Sequence, residues 1–129
     1  MGTFKTLEEI EAWQKARELT REVYRISCQD SFYKDFGLRE QIRRAGVSAM
    51  SNIAEGFERS GTKEFLHFLA MAKGSVGEVI SQLYVAIDQQ YIDKNTFDRI
   101  HALSTETNRM INGLMSYLRR SKIKGSKFK

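Results

Sequence analysis

Two carboxylate-x-x-histidine pairs, Glu64 with His67 and Asp98 with His101, come nearest in spacing to a metal site. Helical di-iron proteins hold two metals with such pairs on facing helices. Here the pairs cannot converge. At 100° per residue His67 falls about 160° from the centre of its segment's apolar face. In a helical hairpin His101 would come level with about residue 83, some 24 Å along the axis from His67 at about 1.5 Å per residue. Both histidines therefore read as surface residues. Cys28 is the one cysteine, which excludes an intrachain disulfide and leaves zinc only histidines and carboxylates. It closes the first apolar segment with no histidine near it, and is expected as a buried or half-buried structural thiol rather than a nucleophile. Gly74-Ser-Val-Gly77 has the outline of a KH-domain clamp but lies inside a helical pattern, and neither a phosphate loop nor a dinucleotide fingerprint occurs. No cofactor, metal or catalytic constellation is expected, and the chain reads as non-enzymatic.

Charge offers a second kind of chemistry. Residues 119–129 hold six cations and no acid, so the other 118 residues sum to −1 of the chain's net +5. Arg119, Arg120, Lys122, Lys124 and Lys127 form this basic arm, and Arg43, Arg44, Arg59 and Lys63 form a second basic group around the second helix and the turn after it. Such clusters are phosphate-binding candidates for RNA or DNA, while a solvated, solubilising terminus is the plain alternative.

A polar stripe is the third feature. Gln41, Arg44, Ser48, Asn52 and Glu55 run beside the apolar face of the second segment, the last two within the string Asn52-Ile-Ala-Glu55-Gly56, and Glu78 with Gln82 forms a polar pair on the third. These groups could pair across helices in a network that fixes register, or form a binding site.

The elements that must position these residues follow from periodicity. With no proline among 129 residues, every segment is free to be helix. Apolar residues spaced four and three apart mark helices over about Leu7–Ser27, Asp35–Phe57, Thr62–Gln90 and Asn95–Arg120. Thr6 is the expected N-cap of the first, with Glu8, Glu9 and Glu11 in its opening turn. The connections 29–34, 58–61 and 91–94 are short, so neighbouring helices should be antiparallel. The expectation is an all-α, up-down-up-down four-helix bundle over residues 1–120, followed by a flexible basic tail over 121–129. The opening residues carry charge where a signal peptide would be apolar, and no apolar run is long enough to span a membrane. A soluble, cytoplasmic protein without a membrane partner is expected.

The third helix carries more apolar surface than one seam requires. Phe68 and Met71 flank one side of its stripe and Ile80, Tyr84, Ile87 and Tyr91 the other. Either it is central in the monomer or it meets a second copy. Gly74 and Gly77, with Ala72 and Ser75, predict a close approach to Ala45, Gly46, Ser48, Ala49 and Ser51 on the second helix.

Several strings resemble a known family. Leu38-Arg-Glu-Gln-Ile-Arg-Arg-Ala45, Ser48, Asn52-Ile-Ala-Glu-Gly56, Lys63-Glu-Phe65, Phe68-Leu69, Ala72-Lys-Gly-Ser75, Glu78, Gln82-Leu83 and Ala86, with Trp13-Gln-Lys-Ala16 upstream, resemble the four-helix bundle proteins encoded in intervening sequences of bacterial 23S ribosomal RNA genes. The resemblance spans roughly residues 7–120 and stops before the basic tail. The family often has proline within the segment Ser48-Ala-Met-Ser-Asn52; its absence here should straighten the second helix. The resemblance implies a bacterial cytoplasmic bundle that assembles as a ring-like homopentamer without enzymatic activity. More distant relatives are accessory proteins of diversity-generating retroelements, which implies nucleic acid as a partner by analogy.

Two functions are expected to compete. One is a homo-oligomeric RNA- or DNA-binding protein whose basic arms act together. The other is a protein-interaction scaffold or accessory subunit in which charge has no specific part and apolar flanks hold another protein.

Overall fold

The computed structural model describes the backbone of residues 4–127 and the side chains of residues 4–121. Among the described residues the chain is all-helical. A 3-10 turn, Leu7–Glu9, precedes α1 (Glu11–Ser27), α2 (Asp30–Lys34), α3 (Phe36–Glu58), α4 (Thr62–Asp88) and α5 (Lys94–Lys127). The long helices α1, α3, α4 and α5 pack around one apolar core supplied by their four-three stripes. Leu19, Ile42, Ile53, Phe65, Leu69, Leu83, Ile100, Ile111 and Leu118 are fully buried in it.

The first helix begins later than its periodicity predicts. Glu9 accepts from the Thr6 N–H at 2.9 Å and the Thr6 hydroxyl at 3.2 Å, closing a separate short turn. Ile10 then adopts an extended backbone (φ −80°, ψ 111°) and enters the core, 1% exposed. Of the three acids expected in its opening turn, only Glu11 belongs to α1. A helical Ile10 would forfeit that burial, so packing overrides the continuous period.

The first connection also departs from expectation, since it contains α2. Phe32 is fully buried and stacks on Tyr91 with centroids 5.4 Å apart. Asp35 follows as the N-cap of α3, its Oδ1 accepting the Leu38 N–H at 3.1 Å while Oδ2 accepts the Tyr91 hydroxyl at 2.9 Å. One carboxylate thus ties the start of α3 to the turn after α4. Helix α3 runs unbroken through Ser48–Asn52, as the missing proline allows.

Helix α4 ends in a Schellman motif: Tyr91 N–H donates to the Ala86 carbonyl and Gln90 N–H to the Ile87 carbonyl, each at 2.9 Å. Gln90 takes the left-handed position at φ 62°. Asp93 then caps α5 by accepting the Thr96 N–H at 2.8 Å, which pulls its carboxyl below the usual range. The polar middle of the α5 seam is resolved locally. Ser104 and Thr107 are fully buried and each hydroxyl donates to a carbonyl of its own helix at 2.8 Å, Ile100 and Leu103 respectively. The helix reaches Lys127, seven residues past the expected end, so its backbone includes most of the segment read as a tail. The side chains beyond residue 121 lie outside the described set.

The glycines do not sit where the sequence placed them. A Cβ at Gly74 or Gly77 would meet nothing within 4 Å. Both lie about 130–170° from the centre of the stripe formed by Ala72, Val76, Val79 and Leu83, so they face away from α3. Gly46 instead packs on α1, where a Cβ would stand 3.1 Å from Thr20 Oγ1. The α3–α4 approach rests on Ala45, Ala49, Ala72 and the hydroxyl pair Ser48–Ser75 at 2.9 Å. It rests also on Gly56, whose Cβ would meet Phe65 Cδ1 at 2.8 Å.

Candidate functional site

The two histidine pairs stay apart. His67 is exposed beside Phe68, whereas His101 packs near Phe97 and Tyr84 at centroid distances of 5.5 and 6.0 Å. Among the described residues no group of three His, Cys, Asp or Glu side chains is placed to hold a metal. Cys28 corrects its expectation, because it is exposed. It is the C-cap of α1, and the preceding Ser27 takes the buried position in its place.

The polar stripe forms part of the expected network. Asn52 Nδ2 donates to the Ser48 carbonyl at 2.9 Å and to Ser48 Oγ at 3.1 Å, and Ser48 meets Ser75 across the seam. Gln82 Nε2 reaches Gln41 Oε1 at 3.5 Å, while Gln82 Oε1 is buried without a protein partner. Glu55 turns outward to Arg59 at 2.8 Å, and Glu78 is exposed. Gly56 contributes space for Phe65 rather than polarity. Hydroxyls and amides that bond their own helix and one neighbour fix register; they leave no convergent set of groups aimed at a ligand.

The second basic group divides in two. Arg59 is closed by Glu55 and by Glu64 at 3.6 Å, with its guanidinium 5.1 Å from the centroid of the Phe68 ring. Its spacing to Glu55 is an ordinary helical ion pair, legible in the sequence. Lys63 beside it is exposed with no carboxylate within 4 Å among the described residues. Arg119 and Arg120 are exposed near the end of the described side chains. Lys122, Lys124 and Lys127 have side chains outside the described residues.

Arg43 and Arg44 stand elsewhere, about 23 Å up α3 from Arg59 at 1.5 Å per residue. Arg43 is half-buried and held without any acid among the described residues. Its Nε donates to Ser27 Oγ at 2.8 Å, Nη2 to Cys28 Sγ at 3.4 Å, and its guanidinium lies 4.7 Å from the centroid of the Tyr24 ring. One turn earlier Arg39 stacks on two rings, 4.3 Å from Tyr33 and 4.9 Å from Phe36, and donates to the Tyr33 carbonyl at 3.0 Å. Phe36, Glu40, Arg43 and Val47 share one face of α3 within about 60°. Tyr24, Glu40, Arg43, Arg44 and Val47 line an open depression of about 300 Å³. Sequence reasoning missed Arg39, Tyr33 and Phe36 and the grouping of Tyr24 with them, because their proximity depends on how α2 folds back. The spacing Phe36, Glu40, Arg43, Val47 was the one available signal.

The opposite surface is built differently. On α4, Met71, Tyr84 and Val85 are 47%, 50% and 43% exposed and surround the open backbone of Gly74 and Gly77. No helix among the described residues is long and apolar enough to cross a membrane.

A crystal structure of a protein of unknown function from the S23 ribosomal protein family of Bacteroides thetaiotaomicron has the same fold. The TM-score is 0.73 at 24% identity, over 81% of this chain and 97% of that one. No curated protein matches the chain. The sequence model of the 23S rRNA-intervening sequence protein matches residues 8–113, which contain the Arg43–Arg44 pair, the polar stripe and the small-residue seam. The chain belongs to the 23S rRNA-intervening sequence protein family.

Proposed function

We propose that this protein is a non-enzymatic, homo-oligomeric helical bundle of the cytoplasm that binds RNA or DNA through its basic surface. The observation that carries this reading is a set of cations with no carboxylate within 4 Å among the described residues: Arg43, Arg44, Lys63, Arg119 and Arg120. A paired guanidinium presents little net field, whereas one held by a hydroxyl, a thiol and a ring keeps its charge available to phosphate.

The contacts Gly56–Phe65, Ser48–Ser75 and Gln41–Gln82 advance in opposite directions along α3 and α4. They support an antiparallel α3–α4 pair, as an up-down-up-down order of α1, α3, α4 and α5 requires. The outer face of α4 supports assembly, since its exposed apolar residues border a backbone that another helix can approach closely. A ring-like homopentamer is the assembly we take, in line with the family resemblance, and it would repeat each basic group around one axis.

Binding of this kind weakens steeply with salt, the logarithm of affinity falling with slope about −0.9 per neutralised phosphate on duplex DNA. The test is a salt titration of the full chain on a mixed-sequence duplex, with light scattering for subunit number. Deleting residues 119–129 should flatten the slope, and an unchanged slope removes the arm from the mechanism. If the full chain binds no nucleic acid at low salt yet retains a host protein at high salt, the scaffold reading replaces this one.

A further inference from the structure

We infer that the face formed by α2 and the first half of α3 is a stacking platform for unpaired nucleotides, which rests on the nucleic-acid reading above and names the form of nucleic acid. Phe36 is 66% exposed, Tyr33 49% and Tyr24 41%, so three aromatic side chains stand in water on one side of a small protein. Each lies against an arginine: Arg39 over Tyr33 and Phe36, Arg43 over Tyr24. A ring backed by a guanidinium is held in place and exposes a flat apolar surface; because Arg39 is paired with Glu40, the positive charge beside the rings comes from Lys34, Arg43 and Arg44. Unpaired bases are recognised by that combination, since they stack on aromatic and guanidinium planes while the backbone phosphates follow nearby cations.

Charge favours this occupant over a second copy or another protein. Lys34 and Arg44 are exposed and, like Arg43, have no carboxylate within 4 Å among the described residues. The acids here are Asp30, Asp35 and Glu40. Asp35 keeps its charge but turns both oxygens to Leu38 N–H and the Tyr91 hydroxyl, Glu40 lies 3.2 Å from Arg39 Nε, and the four cations Lys34, Arg39, Arg43 and Arg44 exceed these three acids by one. From Phe36 to Val47 the face runs about 16 Å at 1.5 Å per residue, room for about four bases stacked 3.4 Å apart. A duplex keeps its bases paired and can use only the cations, so the platform discriminates between paired and unpaired strands.

The test compares a fluorescent oligothymidylate of about twelve nucleotides with a duplex of the same length on the full chain. Tyr33→Ala with Phe36→Ala should weaken the oligothymidylate about tenfold while leaving duplex affinity and the salt slope unchanged. Phe36→Trp should retain wild-type affinity. Both positions are exposed, so circular dichroism and light scattering should show an unaltered fold and mass. If wild type binds duplex and the double variant weakens neither probe, the platform is refuted and the general reading survives. If wild type binds neither probe at low salt, both fail. If the double variant changes the subunit number, the face is a contact between copies and the platform is refuted.

Discussion

On the α1–α3 side Tyr24, Tyr33 and Phe36 are exposed with guanidinium groups over their rings, and the arginine that covers Tyr24 meets no carboxylate among the described residues. On the outer face of α4 Met71, Tyr84 and Val85 are exposed around two glycines whose backbone is bare. The first surface is irregular, charged and assembled from three helices; the second is one smooth helix with few charges. An exposed apolar group beside cations suits a polyanion that stacks, and a bare helical groove suits a helix of another copy. What separates them is the support beneath. The aromatic face depends on tertiary contacts that hold α2 in place, whereas the α4 face needs only its own helix.

Removing that support gives the largest expected effect. Phe32 anchors α2 in the core, fully buried and stacked on Tyr91. Phe32→Ala should cost about 3–5 kcal/mol in urea denaturation. It should also release Tyr33 from beside Arg39 and leave the α4 face intact. A loss well below 1 kcal/mol would mean that α2 contributes little to the core and that the aromatic face has no fixed geometry.

A pair of alanine substitutions sharpens the comparison, since the two glycines should respond with opposite sign. At Gly56 a new Cβ would lie 2.8 Å from Phe65 Cδ1, 3.0 Å from Phe68 Cβ and 3.3 Å from the Phe65 carbonyl. Phe65 is fully buried and cannot yield easily, so Gly56→Ala should destabilise by about 1–3 kcal/mol. Gly77→Ala fills open space in a helix interior and should stabilise a single chain by about 0.5–1 kcal/mol. The readout is the denaturation midpoint over a range of protein concentration. A loss at Gly77 that vanishes on dilution would identify another copy's backbone against this surface.

These residues show how far the sequence could be read. The stripes through Leu19, Ile42, Leu69, Leu83 and Ile111 were legible because a helical period repeats over many turns. A lone Phe32 inside a polar connection has no period, so α2 and its core contact were not legible. Nor was the break at Ile10, where burial of one side chain outweighs an otherwise continuous pattern. The glycines were a failure of a different kind: composition marked Gly74 and Gly77 as contact residues, although their angular position already placed them opposite the core. At the candidate site, the sequence marked the cations Arg43 and Arg44 as phosphate-binding candidates. Their freedom from acid, and the rings beside them, depend on contacts between α1, α2 and α3 that no local spacing encodes.

The smallest expected effect concerns the carboxylate that joins α3 to the turn after α4. The Tyr91 phenol is raised above its ordinary value of 10.0, first by its hydrogen bond to Asp35, then by burial, then by the charge of that carboxylate. A folded-state pKa above the unfolded one means that the folded chain holds this proton more tightly. The contribution to stability is therefore complete below about pH 10 and is lost as pH climbs through the raised value. Tyr91→Phe should lower the urea midpoint slightly at neutral pH, and the gap between wild type and variant should close in strong alkali. A gap that stays constant with pH would show that the phenol does not titrate against Asp35.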